Sequence, residues 1–174
     1  MTLLSDVAAL SQTVPGQVLS GQARLSQARL RELVAAVATL PESWGALVRF
    51  GPDRRWYRRL ELADDYEIWL LSWLPGQRTG FHDHGHAAGA FAVAQGQVRE
   101  RTVPAGHVRV RERTVAHGSI RSFGPRYVHD VANAFAEPAV TVHAYSPPLT
   151  AMRRYQLTES GLVQNGIERA EKDW

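Results

Sequence analysis

The sequence predicts an all-β barrel or sandwich with a helical appendage at its N-terminal side, and three observations predict it. Beyond Arg55 the apolar residues come in short or alternating runs, among them Tyr66 to Leu74, Ala90 to Ala94 and Val140 to Tyr145. Turn residues punctuate those runs at Pro75-Gly76, Gly96, Pro104-Ala105-Gly106 and Gly124-Pro125. Ahead of Arg55 the hydrophobic period is that of a helix instead. Many short strands without intervening helices close into a sandwich or barrel rather than a parallel α/β sheet.

From Ser26 to Leu40 the residues Leu30, Leu33, Val34, Val37 and Leu40 recur at helical spacing, Ser26 is suited to cap the start, and Pro41 blocks continuation. A shorter helical piece is expected near Asp6 to Gln12 and another around Glu42 to Val48. The helical part thus spans about residues 1–50 and the barrel about residues 55–156. The tail after Gln156 is compatible with a last strand or with surface cover. A chain of 174 residues is long enough to bury roughly 70% of its unfolded surface as one domain, so a single domain over residues 1–174 is expected.

The basic balance rests on arginine, with Lys172 the lone lysine, and the formal net charge is only +3. Acidic residues interrupt the clusters at Arg54-Arg55, Arg58-Arg59 and Arg109 to Arg113, which reads as solvated surface and implies no nucleic-acid partner. The chain has no cysteine, which excludes disulfides, thiolate metal sites and a cysteine nucleophile; any metal must be held by His, Asp or Glu. MTLLSDVAALSQTV lacks the basic start and apolar length of a signal peptide, and no segment is long enough to span a bilayer, so a cytoplasmic protein with no membrane partner is expected.

Chemistry concentrates in FHDHGHAAGAFAVAQGQVRE. His82 and His84 are two apart, which on a strand puts both imidazoles on one face, roughly 6–7 Å apart and suited to gripping one metal ion. His86 extends the pattern without necessarily belonging to the site. Gly76 before the pair and Gly96 after it match the first motif of the cupins, G-x5-H-x-H-x4-E-x6-G, except that Gly89 stands where the glutamate belongs. His129 and Asn133 fit the H-x3-N ending of the second cupin motif and Gly118 its start, whereas Gly124 and Arg126 depart from it. In that barrel the second-motif histidine is expected on a strand facing the first pair. Without the glutamate, three neutral imidazoles leave a divalent ion its full charge and open positions, a site that welcomes an anion such as a thiolate.

The run Trp73-x-Pro75-Gly76, His82-Asp83-His84, Gly89-x-Phe91, Gly96, Glu100, His129-x-Val131-x-Asn133 and Thr141-x-His143-x-Tyr145-Ser146-Pro147-Pro148 resembles the type I cysteine dioxygenases over about residues 50–156. The resemblance implies a cupin barrel that binds Fe(2+) through His82, His84 and His129 and adds both atoms of dioxygen to the sulfur of a small thiol. It makes Tyr145 the active-site phenol, held by His143, with Thr141 where the family usually has serine. Some members cross-link that tyrosine to a cysteine at the position of Gly89; here Tyr145 is expected to be free, as in bacterial members with glycine.

The resemblance also implies an arginine for the substrate carboxylate. In Trp56-Tyr57-Arg58-Arg59-Leu60 it falls on Arg58, with Arg59 expected on the other side of the strand as a surface cation. The planar guanidinium fork suits a carboxylate because it donates two parallel hydrogen bonds. L-Cysteine is the substrate this favours. Another small thiol such as 3-mercaptopropionate, or a non-enzymatic metal-binding cupin, are the alternatives, and the Thr141-His143-Tyr145 chain argues against the last.

Overall fold

The computed structural model describes residues 24–104 and 106–170; the helical piece expected near Asp6 to Gln12 lies outside them. Helix α1 runs over Gln27–Ala38, and the Ser26 hydroxyl caps it by accepting the Arg29 N–H at 3.2 Å. Leu30, Leu33, Val34 and Val37 form its buried stripe. A single turn α2, Pro41–Trp44, tightens into a 3-10 turn at Gly45–Leu47, where one helix over Glu42 to Val48 was expected. Among the described residues no helix is long and apolar enough to cross a membrane.

The strands are β1 (Tyr57–Leu62), β2 (Glu67–Trp73), β3 (Phe81–His82), β4 (Ala88–Gln95), β5 (Gln97–Thr102), β6 (Arg111–Ala116), β7 (Ile120–Phe123), β8 (His129–Ala132), β9 (Ala139–Ser146), β10 (Ala151–Thr158) and β11 (Gly161–Arg169). They form a five-stranded sheet ordered β1-β2-β9-β4-β7 and a six-stranded sheet ordered β11-β10-β3-β8-β5-β6. The tail after Gln156 is therefore a last strand: β11 pairs with β10 and forms one edge of the second sheet. Gly96 makes the β4–β5 turn possible. Its φ is +69°, and a Cβ there would lie 2.6 Å from the Pro138 carbonyl oxygen, so only glycine fits without a shift.

The inner strands β2, β9 and β4 of the five-stranded sheet are buried on both faces, and strand alternation sorts their residues. Ile68 and Leu70 of β2, Ala88, Ala90, Ala92 and Ala94 of β4, and Val140, Val142 and Ala144 of β9 share one core with the apolar stripe of α1. The small alanines of β4 let the helix lie close to the sheet. The intervening residues, including Leu71, Trp73, Phe91, Val93 and Tyr145, face the other way into a second core that also takes Val98, Val115 and Val131 from the six-stranded sheet. The site lies in this second interior.

Candidate metal centre

His82 and His129 are directly paired across β3 and β8. The second-motif histidine thus sits beside the first pair in the same sheet, not on a facing strand as expected. β3 ends at His82, so His84 lies just past it, yet the alternation persists because Asp83 is drawn to the opposite side. The Asp83 carboxylate accepts the Gly85 N–H at 2.9 Å, the Tyr155 hydroxyl at 2.8 Å and the Arg153 guanidinium at 3.1 Å. Burial disfavours its charge, but these hydrogen bonds outweigh that and hold the carboxyl below the usual range. His86 is exposed and takes no part in the cluster.

The three rings form a near-equilateral triangle, with centroids 4.9, 4.9 and 5.1 Å apart. One nitrogen from each lies within 4.8 Å of the other two. Nδ1 of His82 donates to the Gly80 carbonyl at 2.9 Å, and Nδ1 of His129 donates to Glu100 Oε1 at 3.0 Å. Both Nε2 atoms are thereby left as acceptors turned to a common centre, the usual way a carboxylate or carbonyl fixes the tautomer of a metal-bound imidazole. Both nitrogens of His84 are buried without any hydrogen-bond partner, which is costly in a protein interior unless an ion takes one of them. Burial, reinforced by the neighbouring imidazoles, pushes His82 and His84 well below the ordinary histidine pKa, so both rings are neutral, the form that can coordinate a metal. This donor set fits a divalent metal ion.

Glu100 also belongs to this cluster, through its contact with His129. Fully buried, it also accepts from the Tyr127 hydroxyl at 3.1 Å and Arg121 Nε at 3.1 Å. Burial opposes its ionisation, but His129, Arg121 and Tyr127 prevail and keep the carboxyl below its usual range. Glu100 shares the inward side of β5 with Val98. A charged residue at an apolar parity position was the available signal for its role.

His84 is stacked between Phe123 and Tyr145, each 4.9 Å away centroid to centroid. Gly89 permits this sandwich: a Cβ at that position would come within 2.5 Å of Phe123 and 2.9 Å of Tyr145. The glycine that replaces both the motif glutamate and the cross-linking cysteine thus makes room for two rings against the third.

Thr141, His143 and Tyr145 alternate inward along β9 and are linked. Trp73 Nε1 donates to Thr141 Oγ1 at 2.8 Å, Thr141 Oγ1 lies 2.8 Å from His143 Nε2, and His143 Nδ1 lies 3.1 Å from the Tyr145 oxygen. Burial holds the His143 ring neutral. Trp73 and His143 are the partners of the Thr141 hydroxyl among the described residues, so its own proton is satisfied when it donates to Nε2, and the neutral ring then carries its proton on Nδ1, toward Tyr145. The phenol then accepts on its oxygen and keeps its own proton free for the cavity it lines. Burial, with a contribution from Glu67, raises the Tyr145 pKa, so the phenol stays protonated. Trp73 anchors the chain, a role its place in the motif run did not disclose.

The cavity over these groups has a volume of about 350 Å³. His82, His129 and Tyr145 lie in its wall with the apolar Leu71, Val131 and Leu149.

Arg58 does not line the cavity. Trp56 and Leu60 pack against the α1 side of the sheet, and Arg58, between them at the same parity, is exposed on that outer face. The opposite parity brings Arg55 and Tyr57 to the cavity. Arg59, also of that parity, faces a buried glutamate, 3.6 Å from Glu67, and lies over Trp69 at 5.4 Å, so it is not the free surface cation expected. Arg55 is half-buried, its guanidinium 4.6 Å from the centroid of the Trp73 ring, and its Nε is buried without a hydrogen-bond partner. Burial lowers its pKa to about 10, leaving it charged at neutral pH. The apolar residues at i±2 of Arg58 were the sequence signal for the correct face.

A protein-family model described as cysteine dioxygenase type I matches residues 7–158. No curated protein matches the sequence. Among solved structures, a Thermus thermophilus protein is similar with a TM-score of 0.53 at 22% identity, covering 60% of this chain and 93% of that one. A Klebsiella pneumoniae protein described as having a double-stranded β-helix domain gives 0.53 at 18% identity, covering 70% and 93%. An RmlC-like cupin from Desulfovibrio desulfuricans gives 0.50 at 17% identity, covering 59% and 91%. These likenesses establish the cupin fold.

Proposed function

The chain belongs to the type I cysteine dioxygenase family, and on that premise we propose that it is an iron-dependent dioxygenase of small thiol carboxylates, L-cysteine or a close analogue among them. The observation that carries this reading is that the Tyr145 phenol, oriented through His143, Thr141 and Trp73, lines the same cavity as His82 and His129. A module that only stores or senses a metal has no need of such a phenol.

Ferrous iron held by His82, His84 and His129 supplies the open coordination positions and the electrons through which a thiol and dioxygen can react. The residues do the rest. Arg55, rather than Arg58, donates to the substrate carboxylate and so orients the sulfur, because it is Arg55 whose side chain lines the cavity. Tyr145 donates its free O–H toward the sulfur or the incoming oxygen, where negative charge develops. Leu71, Val131 and Leu149 keep bulk water from the reacting atoms. The overall change is R–SH plus O2 to R–SO2H: both oxygen atoms are added to sulfur, the thiol proton ends on the sulfinic acid, and no external reductant is consumed.

Oxygen uptake by the metal-free protein reloaded with iron or with zinc tests the reading. Thiol-dependent uptake with iron and none with zinc is expected, because zinc has no redox chemistry. Equal uptake with both metals contradicts it.

A further inference from the structure

Four arginines surround the cavity, and two of them are already neutralised: Arg78 is paired with Asp130, and Arg154 with Glu168. Arg54 and Arg55 have no carboxylate partner among the described residues. These two cations are graded in depth. Arg55 is half-buried against Trp73, whereas Arg54 is exposed at the rim. A thiolate on a divalent ion still leaves one positive charge at the metal, so a substrate with one carboxylate leaves the cavity with two uncompensated charges. A second acidic group placed at the rim, beside Arg54, removes one of them.

We propose that this site takes small thiols bearing two acidic groups, one carboxylate bound by Arg55 beside the metal centre and the second by Arg54 at the rim. This rests on the dioxygenase reading and narrows it to a substrate class. The chemistry at sulfur is unchanged, so a 2-mercapto diacid gives the corresponding sulfinate with both atoms of dioxygen.

The test compares 2-mercaptosuccinate, its monoamide, 3-mercaptopropionate and L-cysteine as substrates of the iron-loaded protein. For 2-mercaptosuccinate, kcat/KM should exceed that for 3-mercaptopropionate and for its own monoamide by about fivefold, the upper end for an exposed charge pair. That advantage should shrink as ionic strength rises to about 0.5 M, since Arg54 is exposed. In Arg54→Gln the ratio of diacid to monoacid kcat/KM should fall at least about fivefold, and in Arg54→Glu the preference should reverse. Equal values for diacid and monoacid, or a ratio that neither variant changes, overturn the proposal while leaving the dioxygenase reading intact. If no thiol supports oxygen uptake, the dioxygenase reading fails instead. Affinities for the same four thiols on zinc-loaded protein, measured by calorimetry, then decide the charge argument: tighter diacid binding supports it and equal binding overturns it.

Discussion

The two faces of the five-stranded sheet are built from alternate residues of the same strands and do opposite work. On β9, Val140, Val142 and Ala144 face α1 and bury apolar surface, whereas Thr141, His143 and Tyr145 face the opposite side and hydrogen-bond to one another. On β2, Ile68 and Leu70 face the helix while Trp73 on the other side anchors the hydrogen-bonded chain. A step of one residue thus separates scaffold from chemistry. The outer face needs only suitable volume, but the inner face needs particular atoms at particular positions.

The sharpest way to test that division is to remove one atom from the inner face. Tyr145→Phe deletes a hydroxyl and little volume, so the fold and the metal content should survive while kcat falls by roughly 10²–10³, the usual cost of losing a positioned donor. Wild-type turnover of Tyr145→Phe in an oxygen-uptake assay removes the phenol from the mechanism.

The start of β1 and the residues just before it offer the next comparison, because Arg55 and Arg58 lie on opposite parities of one short segment. Truncating one partner of a buried charge pair costs roughly 2–5 kcal/mol. Arg55→Ala should therefore lower kcat/KM for a thiol carboxylate by at least about tenfold and spare cysteamine, which has no carboxylate. Arg58→Ala should leave both within about twofold, as expected for an exposed arginine on the far face. Equal damage from the two changes means that strand parity has been misassigned.

The smallest effect on turnover is expected from the outer face. Val142→Ala removes buried methyl groups against α1 and should cost roughly 1–3 kcal/mol in chemical denaturation. Its kcat per bound metal should stay at the wild-type value, although its flanking residues Thr141 and His143 line the other face. A turnover loss comparable to that of Tyr145→Phe breaks the division between the faces.

The same alternation explains how much could be read from the sequence. The period of α1 and the alternating strand runs are repeated signals, so their placement survived small errors at the ends. His82, His84 and His129 were legible because motif spacing constrains them jointly, even though His129 proved to be a neighbour of His82 in the same sheet. Arg58 was misplaced because it was aligned through a three-residue pattern, whereas the face is decided by Trp56 and Leu60 at its i±2 positions. Glu100 and Trp73 were visible as letters of the motif run, but their roles depend on contacts with His129 and Thr141 that lie far away in sequence. The stacking of His84 between Phe123 and Tyr145 over Gly89 likewise needs three strands brought together.

The most direct test of the dioxygenase reading is to run the iron-loaded protein with its best thiol under ¹⁸O2 and weigh the product. A sulfinate carrying two labelled oxygen atoms, formed with one O2 consumed per thiol and no added reductant, is the predicted result. Disulfide or hydrogen peroxide as the product, or oxygen atoms drawn from water, contradicts it.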